Sequence, residues 1–204
     1  MKQDTARKQE EQTPSLHGRA MENLEYIRDA MQRSTEFTAV PGYGGVLMGV
    51  TAIGAGIIAE IQTEPLYWLA TWMVEALLAF LIGSLAMWQK SRDADTALIR
   101  SRPAQKFAIG FLPPLLAGVI LTGLILYRGS PSILPPVWLA LYGASVVTGG
   151  AYSVKPVPLM GWIFMLIGGA AVFARPELGN YFMIAGFGVV HIIFGLIIGR
   201  KYGG

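Results

Sequence analysis

Glu75, His191, Ser145, Glu60 and Thr71 are the residues of this chain whose types and surroundings suit chemistry. Glu75 sits in the apolar run LYWLATWMVEALLAFLIGS and His191 in YFMIAGFGVVHIIFGLIIG. An ionised carboxylate at mid-bilayer costs at least about 2.5–3.5 kcal/mol even on the lenient insertion scale. A side chain kept there at that cost serves a hydrogen bond inside a bundle, a proton step or a solute contact. Counted from the end opposite the chain termini, Glu75 lies about nine residues into its segment and His191 about ten, a shared depth at about 1.5 Å per residue. A Glu75–His191 hydrogen bond or ion pair is therefore one expectation. It would act as a structural clamp or as a proton or solute site.

Other chemistries find less in the residues. Ser145 stands in Gly143-Ala144-Ser145-Val146, again about ten residues into its segment at about 1.5 Å per residue. A serine nucleophile needs its base and its oxyanion donors together, and a serine on a membrane helix more often bonds its own backbone. Glu60, Glu75 and His191 follow no ligand-spaced motif, so no metal is expected. A bis-histidine haem would need a second membrane histidine, and His17 lies in the polar N-terminal tail. No phosphate-binding GxxxxGK[ST] loop occurs, and with no cysteine there is no thiolate metal site or iron–sulfur cluster. No cofactor is expected. Asp93 and Asp95 flank a single residue in a loop rich in Arg and Lys, and read as solvated charge.

The elements that position these residues are apolar helices. The 204 residues are 53% hydrophobic and 14% charged, against about 25% charged residues in an ordinary soluble domain, with a mean hydropathy of +0.47. The charges cluster between apolar blocks. The expected fold class is all-α, a polytopic membrane bundle of six transmembrane helices preceded by a cytoplasmic amphipathic helix. The spans are read at residues 40–61, 66–88, 107–127, 135–154, 159–173 and 181–199. Residues 38–204 thus form the transmembrane domain and residues 1–37 a cytoplasmic tail. Pro135 and Pro136 suit a helix start, Pro113 and Pro114 are expected to kink the third span, and the fifth span is the shortest. The tryptophans, Trp68 and Trp72 among them, lie towards span ends, as interfacial aromatics do.

Small residues mark the packing faces. Gly45, Gly49 and Gly56 recur along the first span. Thr71, Glu75, Ala79 and Gly83 repeat every fourth residue along the second, and Gly188, Gly195 and Gly199 lie close to one face of the sixth. Such GxxxG-type stripes let helix backbones approach closely, within the bundle or between two copies in a homodimer. In the tail, Leu16, Ala20, Leu24, Ile27 and Met31 follow amphipathic spacing behind Ser15 as N-cap. Their narrow apolar stripe and mixed charges suit docking onto the bundle or onto a cytoplasmic or membrane protein partner.

Orientation follows from basic residues. Of the sixteen lysines and arginines, only Arg128 and Arg175 fall on the side opposite the termini. By the positive-inside rule both termini are cytoplasmic. The net charge of +3 therefore reflects lipid topology, and no nucleic-acid partner is expected. The Met1–Pro14 stretch is polar and contains no signal peptide.

Two resemblances follow from these residues. LALYGASVVTGGAYSVKPVPLMGW, GFGVVHIIFGLIIGRKYGG and IRDAMQRSTEFTAVPGYGG are similar to stretches of uncharacterised bacterial six-span membrane proteins, over most of the chain after Met21. That likeness implies a bacterial inner membrane and no particular activity. Ser145 on the fourth span, His191 on the sixth and cytoplasmic termini resemble rhomboid intramembrane proteases. Val146, however, replaces the last glycine of their GxSG motif, the second span has no His or Asn to hold an oxyanion, and the first loop is far too short. The expected function is a non-enzymatic regulatory or assembly component whose cytoplasmic helix docks a partner. The alternative is a small proton-coupled transporter or channel using Glu75 and His191, and a rhomboid-like protease ranks last.

Overall fold

The computed structural model describes residues 21, 23–25, 27, 37–93 and 101–203. The chain divides into two units, residues 1–36 and 37–204. Of the first unit, Met21, Asn23, Leu24, Glu25 and Ile27 are helical. Leu16, Ala20 and Met31 lie outside the described residues.

The second unit contains six helices long and apolar enough to cross a membrane. α1 spans Gly42–Glu60, α2 Pro65–Asp93, α3 Arg102–Tyr127, α4 Leu134–Gly150 and α5 Pro156–Phe173. The sixth span is composite: α6 (Gly179–Met183) passes into a π-helical stretch, Ile184–Val190, and then into α7 (His191–Tyr202). This is the architecture of a multi-pass membrane protein.

Local chemistry explains most boundaries. Ser101 caps α3, its hydroxyl accepting from the Ala104 amide, with Pro103 in the first turn, where a missing N–H costs nothing. α3 runs unbroken through Pro113 and Pro114. α5 begins at Pro156 and is 18 residues long, so the fifth span recruits the Pro-Val-Pro segment that the sequence reading assigned to the preceding loop. α2 continues past Trp88, carrying Lys90 and Arg92 in its last turn.

Packing does not follow chain order. α1 packs on α2 and on the sixth span, while α4 packs on α3 and α5. The sixth span lies between these groups, touching α1, α4 and α5. Glycines set the closest approaches. A Cβ on Gly195 would stand 2.6 Å from the Val46 amide nitrogen, and one on Gly49 2.6 Å from the Gly188 carbonyl. Gly45 faces Gly195, Gly42 abuts Gly199, and Gly56 is covered by Ile184. Across the molecule, Gly143 and Gly161 play the same part, each Cβ position 2.7 Å from the other's carbonyl oxygen. Gly83 meets only the Met48 side chain, at ordinary contact distance.

The end of the bundle that carries the C-terminus is closed by backbone. Phe37 donates to the Tyr152 carbonyl (2.7 Å) and accepts from the Ser153 hydroxyl (2.7 Å), and its ring packs tilted against Phe107 at 5.1 Å. Phe37 and Ala39 are buried against Ala104, Met87 and Phe107. Residue 37, read from sequence as the last of the tail, belongs to the bundle. Lys90 Nζ donates to the carbonyls of Val40 (3.1 Å) and Gly203 (2.6 Å), tying α2 to both flanks of the transmembrane unit.

Candidate functional site

Glu75 and His191 each have their own partner, on different helices. The Glu75 side chain is buried on the face of α2 that meets α1, and its Oε1 accepts a 2.8 Å hydrogen bond from Thr51. The Thr51 hydroxyl also lies 2.9 Å from the Met48 carbonyl, so one proton is shared between two acceptors. Glu75 Oε2 makes no hydrogen bond among the described residues. It is not fully enclosed either, because among the described residues the one fully buried side-chain polar atom without a partner is His191 Nδ1.

Glu75 and Thr51 stand at the inner end of a lateral groove of about 550 Å³ between α1 and α2. Its walls are Gly54, Ala55, Ile58, Ala70, Val74 and Leu78, and its outer end holds Gln62, Tyr67 and Thr71. Ile58, Tyr67, Val74 and Leu78 are exposed, so the groove opens onto the periphery of the bundle. Thr71 spends its hydroxyl on the Tyr67 carbonyl, one turn back along its own helix.

His191 is enclosed. Its Nε2 shares a 2.8 Å hydrogen bond with the Tyr142 hydroxyl of α4, the direction depending on the tautomer. Phe164, Phe187 and Tyr142 surround the imidazole at centroid distances of 5.2, 6.2 and 5.5 Å, Phe187 in stacked geometry. The π-helical stretch Ile184–Val190 ends immediately before His191, so the imidazole stands where the helix returns to α geometry.

Ser145, fully buried, donates to the Leu141 carbonyl at 3.0 Å. With the Ser145 hydroxyl on its own backbone and His191 bound to Tyr142, serine and imidazole do not form a nucleophile–base pair in this arrangement.

The best-satisfied polar site is one that the sequence reading missed. Asn180 in α6 is buried, and its Oδ1 accepts from the indoles of Trp72 (3.1 Å) and Trp68 (3.3 Å). Its Nδ2 donates to the Gly56 carbonyl (2.9 Å) and to Glu60 Oε2 (2.8 Å), while Tyr181 donates to Glu60 Oε1 (2.8 Å). Two donors and two acceptor lone pairs are the whole capacity of an amide, and all four are used. α1, α2 and the sixth span are locked together at this point. Trp72 is consequently a core residue, 3% exposed, rather than an interfacial anchor. An asparagine just before an apolar run, with indoles four residues apart on another span, was the available signal. Only the fold could show that they meet.

Among the described residues no cluster of three or more His, Asp, Glu or Cys could hold a metal ion. No family model matches the chain, and neither the curated proteins nor the solved structures include a significant match. The fold and site therefore define a class, a multi-pass helical membrane protein with a lateral acidic groove, and any function rests on the residues themselves.

Proposed function

We propose that this protein is a non-enzymatic component of the bacterial inner membrane, a regulatory or assembly protein whose cytoplasmic helix, read ahead of Phe37, docks a partner. Both termini face the cytoplasm in this reading, on the evidence of the basic-residue asymmetry. The observation that carries it is how the interior polar groups are used. Asn180, Glu60, Tyr181, Trp68 and Trp72 are committed to one interhelical lock. Ser145 is bonded to its own helix and His191 to Tyr142 inside aromatic rings. Side chains arranged in this way favour a rigid anchor over a moving pathway.

Proton-coupled transport through Glu75 and His191 has less support. The two residues bond to Thr51 on α1 and Tyr142 on α4, respectively, and among the described residues no hydrogen bond joins the two sites.

Native mass spectrometry of the full chain, released gently from its host membrane, tests the docking reading. A partner of fixed mass should accompany the wild-type protein and be lost when Leu24 and Ile27 are both replaced by Glu. Retention of the partner by that double variant, or its absence from the wild type, would overturn the reading. Proton flux in liposomes that disappears with Glu75→Gln would establish the transport reading instead.

A further inference from the structure

Residues 37–41, the irregular segment that leads into α1, join parts of the bundle that otherwise scarcely meet. α2 and α3 follow one another in the chain, yet they make almost no direct contact. At the end that carries the C-terminus, the strand ahead of α1 bridges them instead. Phe37 and Ala39, 4% and 0% exposed, lie against Ala104 and Phe107 of α3 and Met87 of α2. The Val40 carbonyl accepts from Lys90 of α2, and Phe37 is bonded through its backbone to Tyr152 and Ser153 of the α4–α5 turn. From Phe37 the rings continue inwards. Phe107 stacks on Phe111 at 5.6 Å, Phe111 meets Tyr142 edge-on at 6.2 Å, and Tyr142 holds His191. Residues 37–41 thus form a strap that closes the α2–α3 seam over the aromatic column leading to His191.

The strap is held differently from the helices around it. α1 and the sixth span meet backbone to backbone, Gly45 on Gly195 and Gly42 on Gly199. Residues 37–40 contain no helix, and one aromatic ring, one buried alanine and a few hydrogen bonds hold them. Segments held by few contacts open before the elements they cover. Phe37 is also where the preceding chain enters the bundle. Met31, the last residue of the docking stripe, lies six residues before it, a reach of at most about 22 Å. A partner that holds Met31 farther away than this must draw Phe37 out of its seat. We propose that residues 37–41 are a releasable gate on the α2–α3 seam, withdrawn when a partner takes up the docking helix. The coupling rests on the docking reading, and the gate does not. A ligand shifts such an equilibrium only by binding one state better, and the length of the tether supplies that preference.

The chain has no cysteine, so single introduced thiols report on the gate. Ala39→Cys and, separately, Met87→Cys are made in the full chain, placed in phosphatidylcholine nanodiscs and reacted with N-ethylmaleimide. Both thiols should react slowly while the strap is seated. Phe37→Ala should speed both by at least about tenfold, and Ser153→Ala, which removes only the hydroxyl bond to Phe37, should speed both by less. Circular dichroism should stay at the wild-type value; if Phe37→Ala loses helix, Ser153→Ala decides. Rates unchanged by these substitutions would overturn the gate, as would faster labelling at 39 with none at 87. The coupling is read by labelling Ala39→Cys in host membranes, where it should react at least about tenfold faster than in nanodiscs. Adding Leu24→Glu and Ile27→Glu should return it to the slow rate. Equal rates in the two settings, with a partner seen by native mass spectrometry, would overturn the coupling. Equal rates with no partner seen would overturn the docking reading and the coupling together, while the nanodisc rates still decide the gate.

Discussion

Glu75 and His191 are the two titratable side chains buried within apolar spans, and their surroundings differ in kind. His191 is caged by Phe164, Phe187 and Tyr142, with one ring nitrogen bonded and the other buried without a hydrogen-bond partner among the described residues. Glu75 is held at one oxygen by Thr51 and turns the other towards a groove that opens on the periphery. The difference lies in which helices are neighbours, because α2 packs chiefly on α1 whereas the sixth span packs on α1, α4 and α5. Residues one apart on a helix point about 100° apart, so depth places a side chain at a level but not against a neighbour.

The same contrast separates the glycines, and it supplies the largest predicted effect. Gly195→Leu places side-chain atoms where Val46 N and the Gly42 carbonyl already stand, 2.6 and 2.8 Å from the first added carbon. Backbone cannot yield as a side chain can, so α1 and α7 must separate. We expect a loss of at least about 3 kcal/mol, the upper end for overpacking, read as a shifted midpoint in detergent–SDS unfolding. Gly54→Leu, where the first added carbon would meet nothing within 4 Å, should stay within about 0.5 kcal/mol of wild type. Equal effects at the two positions would mean that the α1–α7 contact is not as close as described.

Next in size is the amide lock. Asn180→Ala removes four hydrogen bonds, including those to two buried indoles. Interhelical hydrogen bonds in membranes average about 0.6 kcal/mol and reach about 1.7, so about 2–4 kcal/mol should be lost in the same assay. Trp72 fluorescence should also shift to the red. A loss under 1 kcal/mol would indicate that the lock is replaceable.

Tyr142→Phe is a smaller change within the sealed site. It strips His191 of its one side-chain partner in a dry cage, and an unmet buried group costs about 1–3 kcal/mol. Unchanged stability would show that the imidazole finds another partner. The least effect is expected at the open site. Replacing Thr51 by Val together with Glu75 by Leu removes donor and acceptor at once, which is nearly neutral when shape is kept. Unfolding should move by less than about 1 kcal/mol. A loss as large as that of Asn180→Ala would place Glu75 among the structural locks and remove the contrast with His191.

The legible part of this protein is the part governed by transfer from water to lipid. Twenty or so apolar residues must become a helix in hydrocarbon, because every backbone group has to be satisfied within the segment. The positions of six apolar helices could therefore be read from residue order, with ends shifted by a few positions where prolines at 135, 136 and 156 start helices. Glu75, Glu60, Ser145 and His191 could be singled out because polar atoms in such segments are costly. Their partners could not. Asn180 stands one residue ahead of the sixth apolar run and Trp72 reads as an interfacial ring, and only the fold places them 3.1 Å apart.

Sequence by itself determined the class of this protein, its apolar segments and its list of interior polar groups, because hydrophobicity and cost of burial belong to each residue and its near neighbours. Only the tertiary structure decided that α1 pairs with the sixth span, that His191 meets Tyr142 instead of Glu75, and that a groove remains beside Glu75. Those outcomes depend on helix rotation and on which glycine faces which backbone. Segments equally at home in lipid carry no hydrophobic preference for one another. Their pairing is settled by close packing and a few hydrogen bonds between residues more than a hundred positions apart, as between Gly56 and Asn180.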